Sequence, residues 1–135
     1  GMPEDTPNEP PTTVHQPLDY GGNEVVLELE PGVYAFYAHL QPGSIPVQVG
    51  DRVRTGQRVG LLGNSGNASG PHLHFAIADG RHTLSSSSLP FEIDHFRLEG
   101  TAENGPLPGE LVVSGKPREL RRAHPLAQSV SDYSR

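Results

Sequence analysis

The 135-residue chain contains no cysteine, so disulfide staples and thiolate metal sites are both excluded, and any metal must rest on histidine and carboxylate side chains. Apolar material is sparse: hydrophobic residues make up 33% of the chain, and no apolar run approaches membrane-spanning length. The opening Gly1-Met2-Pro3-Glu4-Asp5 has neither the basic nor the apolar part of a signal peptide. Positive charge is not in excess either. A net charge of −6, with no basic patch and no nucleic-acid motif, excludes a phosphate-backbone binder. What the chain does have is glycine and proline, 16 and 14 residues respectively, together more than a fifth of its length. That composition fits one small turn-rich, all-β domain with irregular Pro/Gly-rich termini.

Five prolines in residues 1–22 read as an extended linker or loop that supplies no core. The character changes at Asn23. Residues 24–30 and 33–39 alternate in polarity on either side of Pro31-Gly32, which predicts a hairpin. Pro-Gly suits a type II turn better than the primed turns of tight hairpins, so a bulge or longer loop is expected with it. The returning strand ends in Tyr37-Ala38-His39-Leu40 and so sets His39 at a strand terminus. Between residues 41 and 63, short apolar pieces are cut by glycines in the pattern V-x-V-G-D-x-V-x-x-G-Q, which predicts tight corners in a folded-over antiparallel sheet. The polar glycine loop of residues 63–71 belongs at the rim of a cleft. A phosphate-cradling role for it lacks the following helix and the G-K-[S/T] signature. Residues 89–98 suit a closing strand, which gives a β domain over 23–98. Residues 99–135 then read as an irregular extension with one strand at 110–113 and room for a short basic helix at 118–122.

Within the run His72-Leu73-His74-Phe75-Ala76-Ile77-Ala78, large apolar residues alternate with small or polar ones, the period of a half-buried strand. Both imidazoles would then leave on one face, their Cα atoms about 6–7 Å apart. One could hold a metal while the other reaches a water or substrate; the plainer alternative is two histidines on a solvated strand face.

Taken together, Tyr37-Ala38-His39-Leu40, the corner string Gly50-Asp51-x-Val53-x-x-Gly56-Gln57, the loop Gly63-Asn64-Ser65-Gly66 and Pro71-His72-Leu73-His74-Phe75 resemble the lysostaphin/LytM-type zinc metallopeptidases of bacterial cell walls. The resemblance covers roughly residues 22–79, in that family's order and spacing. It implies a barrel-sandwich-like all-β fold, with His74 as a ligand of Zn2+ and His39 and His72 as the catalytic pair beside it. It also implies hydrolysis of glycine-rich or D-amino-acid-containing peptide bonds in peptidoglycan, at a periplasmic or extracellular address.

That family takes two further zinc ligands from an H-x-x-x-D segment well ahead of the Y-A-H-L element. Here the same letters occur only as His15-Gln16-Pro17-Leu18-Asp19, directly before the Asn23 strand and inside the proline-rich stretch. His15 and Asp19 are therefore additional ligands only if this displaced segment substitutes for the usual one; otherwise the match is a coincidence of letters. Catalytic zinc normally takes three protein ligands, so the incomplete set has three readings. The chain is truncated upstream of Met2, it is a degenerate member that binds peptidoglycan or a partner without cutting, or His15, Asp19 or a second chain completes the site. The glycine ahead of Met2 puts truncation first, and truncation would leave an open strand edge at residues 23–30 through which copies could associate. A biotinyl- or lipoyl-type carrier uses similar corners but needs a lysine in a tight hairpin, whereas the only lysine here, Lys116, sits in the C-terminal stretch.

Overall fold

Alternating residues on either side of Pro31-Gly32 do form a hairpin. Strands β1 (Asn23–Glu30) and β2 (Val33–Leu40) pair antiparallel, and Gly32 takes φ 83°, the value a type II turn demands at its third residue. Glu30 pairs with Val33 and Glu28 with Tyr34, so Leu29 is an extra residue. This is the bulge expected when an unprimed turn has to close two twisted strands. The computed structural model describes residues 20–68, 70–82, 84–107, 110–125 and 128–133. His15, Asp19 and nearly all of the proline-rich stretch lie outside them.

Strand β3 (His74–Ala78) adds antiparallel to the other side of β2, giving a three-stranded sheet in the order β1-β2-β3. Phe36 pairs with Ala76 and Tyr34 with Ala78, so two large rings on β2 sit beside two methyl groups on β3. Tyr34, Phe36 and Ala78 form the buried cluster, with Val26 of β1 against it. The main core face is thus the one that carries the alanines and His74. On the opposite face Ile77 is also buried and Phe75 half-buried, while Leu73 is exposed.

The corner segment connects β2 to the loop before β3 without regular strands, and side chains hold its turns. Asp51 accepts from the Gln48 amide (2.9 Å) while its own amide donates to the Gln48 carbonyl (3.1 Å); Gln57 and Arg54 repeat the arrangement. Asp51 is a turn residue, as its glycine corner suggests. Gln41 closes the segment by donating through its amide to Leu61 and through its side chain to Leu62.

The chain divides into two compact units, residues 1–89 and 90–135. The second is a four-stranded antiparallel sheet of β4 (Ile93–Asn104), β5 (Leu111–Ser114), β6 (Arg118–Ala123) and β7 (Ser129–Asp132). Thr101 of β4 pairs with both Ser114 and Ser129, and Arg97 with both Glu119 and Asp132, so β5 and β6 share one side of β4 and β7 takes the other. The irregular extension expected over 99–135 is corrected accordingly. The stretch open to a basic helix is strand β6, where Glu119 meets His95 (2.9 Å) and Arg97 (3.5 Å) across the β4 pairing. Strand propensity there comes from the partner strand rather than from local pattern. All described elements are strands, and no described helix is long and apolar enough to cross a membrane.

Candidate active site

Near its end β2 carries a second irregularity. Asn23 pairs with Leu40 and Val25 with Tyr37, so Glu24 alone lies opposite Ala38 and His39. Two residues facing one make a β-bulge, a device that re-aims a side chain. His39 has φ 61°, a left-handed conformation that non-glycine residues seldom adopt. The residue is only 3% exposed. Its amide donates to the Gly21 carbonyl (2.8 Å), and its ring Nδ1 lies 2.8 Å from the Ser65 carbonyl oxygen. A carbonyl can only accept, so Nδ1 carries the proton and the lone pair of the neutral ring is on Nε2.

His74 is the first residue of β3 and pairs with Ala38, next to the bulge. His72 precedes the strand. It is held by a bridge to Gly63, with its amide on the Gly63 carbonyl (3.2 Å), and its Nδ1 donates to the Gly70 carbonyl (2.8 Å). The His39 ring centroid lies 4.6 Å from that of His72 and 5.7 Å from that of His74. The fold therefore brings the three sequence-selected histidines together, one of them buried and two exposed. Only His74 of the H-x-H pair belongs to the strand, because pairing with β2 begins at Ala38.

Two glycines make this approach feasible. A Cβ on Gly63 would stand 2.5 Å from the Gln41 nitrogen and 2.8 Å from the His39 oxygen. One on Gly22, which has φ 65°, would stand 2.5 Å from both the carbonyl carbon and oxygen of Ser65. Ser65 itself, fully buried, was legible only as part of a polar loop. Its serine type gave no hint that its carbonyl faces an imidazole. Of the other described histidines, His82 is exposed in a turn where its carbonyl accepts from Ser85 and Ser86, His95 pairs with Glu119, and His124 packs edge-on against Phe91.

Burial lowers the His39 pKa below its usual value near 6.5, with the charges of nearby His72 and His74 acting in the same direction and the Ser65 carbonyl opposing them. The folded protein then binds fewer protons here than the unfolded chain. His39 contributes stability that is present above about pH 6.5 and lost as the pH falls through its lowered pKa. Urea denaturation from about pH 8 to about pH 5 should show that loss, and a His39→Gln variant should show a shallower slope. Equal slopes would contradict the assignment.

Among the described residues, no group of three or more histidine, cysteine, aspartate or glutamate side chains is arranged to hold a metal ion. The described residues alone therefore do not fit the three protein ligands that a catalytic zinc takes.

Part of the chain is similar to known proteins. Over 58 residues, 43% of this chain, it is 43% identical to the peptidoglycan DD-endopeptidase ShyA of Vibrio cholerae. Over 56 residues, 41% of the chain, it is 46% identical to the glycyl-glycine endopeptidase ALE-1 of Staphylococcus capitis. A third relative, the DD-carboxypeptidase/endopeptidase Mpg of Neisseria meningitidis, is 41% identical over 54 residues, 40% of the chain. These matches span only 13%, 15% and 12% of the relatives' own lengths. No solved structure matches the chain significantly. The profile of peptidase family M23 matches residues 12–86, more than half of the chain, and takes in both strands of the hairpin and all three clustered histidines. With its all-β fold, the chain belongs to peptidase family M23.

Proposed function

We propose that this domain hydrolyses peptide bonds of peptidoglycan, of the glycine-rich or D-amino-acid-containing kind, outside the cytoplasm. The observation that carries the reading is the convergence of His39, His72 and His74 where β2 ends and β3 begins. His39 and His72 both present an unprotonated Nε2, the form in which an imidazole accepts a proton from an attacking water and later returns it to a leaving amine. His74 is the position offered to zinc. Its co-ligands have to come from outside the described residues, and His15 and Asp19 are the sequence's candidates. The activities named for the relatives, on peptidoglycan and on glycyl-glycine bonds, support this substrate class.

The incomplete donor set favours a second reading, a module of the same fold that binds peptidoglycan peptide without cutting it. Metal analysis after zinc incubation and gel filtration separates the two. The peptidase reading expects stoichiometric zinc that falls to background in His74→Ala and in His15→Ala, together with release of new amino groups from purified peptidoglycan. Zinc at background in the wild type, with peptidoglycan retained by the protein but uncut, would establish the binding module instead.

A further inference from the structure

Ser65 lies at a crossing of three chain segments. Its hydroxyl donates to the Leu40 carbonyl (2.6 Å) and accepts from the Asn23 amide (3.0 Å), tying the end of β2 to the start of β1. Its carbonyl oxygen meets His39 Nδ1 at 2.8 Å. The residue is completely buried, and Gly22 packs so closely that any side chain there would occupy the space of that same carbonyl. The peptide group is thereby fixed from two sides, by a hydroxyl bridging two strands and by a backbone with no Cβ.

We propose that Ser65 is a positioning residue for His39: its hydroxyl anchors the loop so that its carbonyl holds the imidazole as the Nδ1–H tautomer, leaving the Nε2 lone pair free on the ring that neighbours His72 and His74. A free neutral imidazole side chain prefers the opposite tautomer, with the proton on Nε2, so the carbonyl reverses an intrinsic preference. The bulge and the left-handed backbone at His39 turn the ring toward the loop, and Ser65 then decides which nitrogen remains available. The inference deepens the peptidase reading, yet the tautomer is a property of the folded chain whether or not that reading holds. His72 takes the same tautomer from Gly70, two residues away along its own loop, and depends on no side-chain hydroxyl. It is an internal control.

Long-range proton–nitrogen correlation spectra of the full 15N-labelled chain, recorded at about pH 8 where imidazoles are neutral, read the tautomer directly. In the wild type, His39 should give one protonated nitrogen at Nδ1 and one well-separated pyridine-type nitrogen at Nε2. In Ser65→Ala the two His39 shifts should move toward each other as the tautomers mix, while those of His72 stay in place. Ser65→Cys keeps the volume with a weaker donor and should fall between them. Gly22→Ala disturbs the same carbonyl from the other side and should also mix the tautomers. Amide dispersion reports which variants are folded. A wild-type His39 protonated on Nε2 would overturn the proposal, as would a folded Ser65→Ala or Ser65→Cys protein with unchanged His39 shifts. A fixed tautomer in a protein that cuts no peptidoglycan would refute the peptidase reading and leave this one standing.

Discussion

Replacing Phe36 by alanine is expected to remove about 3–5 kcal/mol of folding stability. Phe36 is among the largest fully buried side chains and stands at the middle of the central strand of its sheet, between Val26 on β1 and Ala76 on β3. Its partner on β3 is a single methyl group, which has little to offer toward filling the cavity. The loss is therefore the ring's transfer free energy plus most of the void. Against a typical total of about 5–15 kcal/mol, a change of this size brings a small domain close to unfolding at ordinary temperature. Urea midpoints with an unchanged slope check the figure, and a loss below about 1 kcal/mol would mean that the sheet face repacks. Leu29→Ala, at an exposed bulge, is the matched control and should be near neutral.

The second large effect concerns chemistry. In the zinc-loaded protein, His39→Ala is expected to reduce the rate of peptidoglycan cleavage by about 10²–10⁴-fold, the usual cost of removing a positioned proton acceptor. His39 also carries a left-handed backbone, so its replacement could act through the fold instead. His39→Asn separates the two causes, because asparagine tolerates that conformation better than most residues. It should fold at least as well as His39→Ala and remain equally inactive. Recovery of cleavage in His39→Asn would assign the loss to backbone geometry, not to the imidazole.

Much of the candidate site's geometry, the meeting of three histidines, could be read in the linear chain. The Y-A-H-L string and the H-x-H pair carried His39, His72 and His74, and alternation around Pro31-Gly32 carried the hairpin that sets the first of them. The bulge at Ala38–His39 was beyond reach, because register depends on which residues of two strands face each other, and polarity does not encode an unpaired residue. The same limit applies to the sheet's main core face. Alternation in 72–78 pointed to the large residues, whereas the main cluster forms where Tyr34 and Phe36 fill the room left by Ala76 and Ala78. The second sheet was read only in part, as strands over 89–98 and 110–113 without β6, β7 or the pairing that joins them, for a related reason. Its longest strand, β4, mixes charged and small residues and is paired along both sides, so its stability lies in partners distant in sequence and not in a local repeat.

The segment leaving Gly63 and returning at His72 is pinned at its neck by the pairing of those two residues. Ser65, near one end, holds the ring of His39, and the other end is His72 itself. A single opening of this neck would release one histidine and misplace another in the same event. The arrangement behaves as a latch with one fastening, so hydrogen exchange at the amides of Asn67 and His72, which donate to the Tyr20 and Gly63 carbonyls, should report one shared opening free energy. Loss of competence through the neck is collective, since both histidines are placed while it is closed and lost together when it opens, whereas a change at the Ser65 hydroxyl reaches His39 alone.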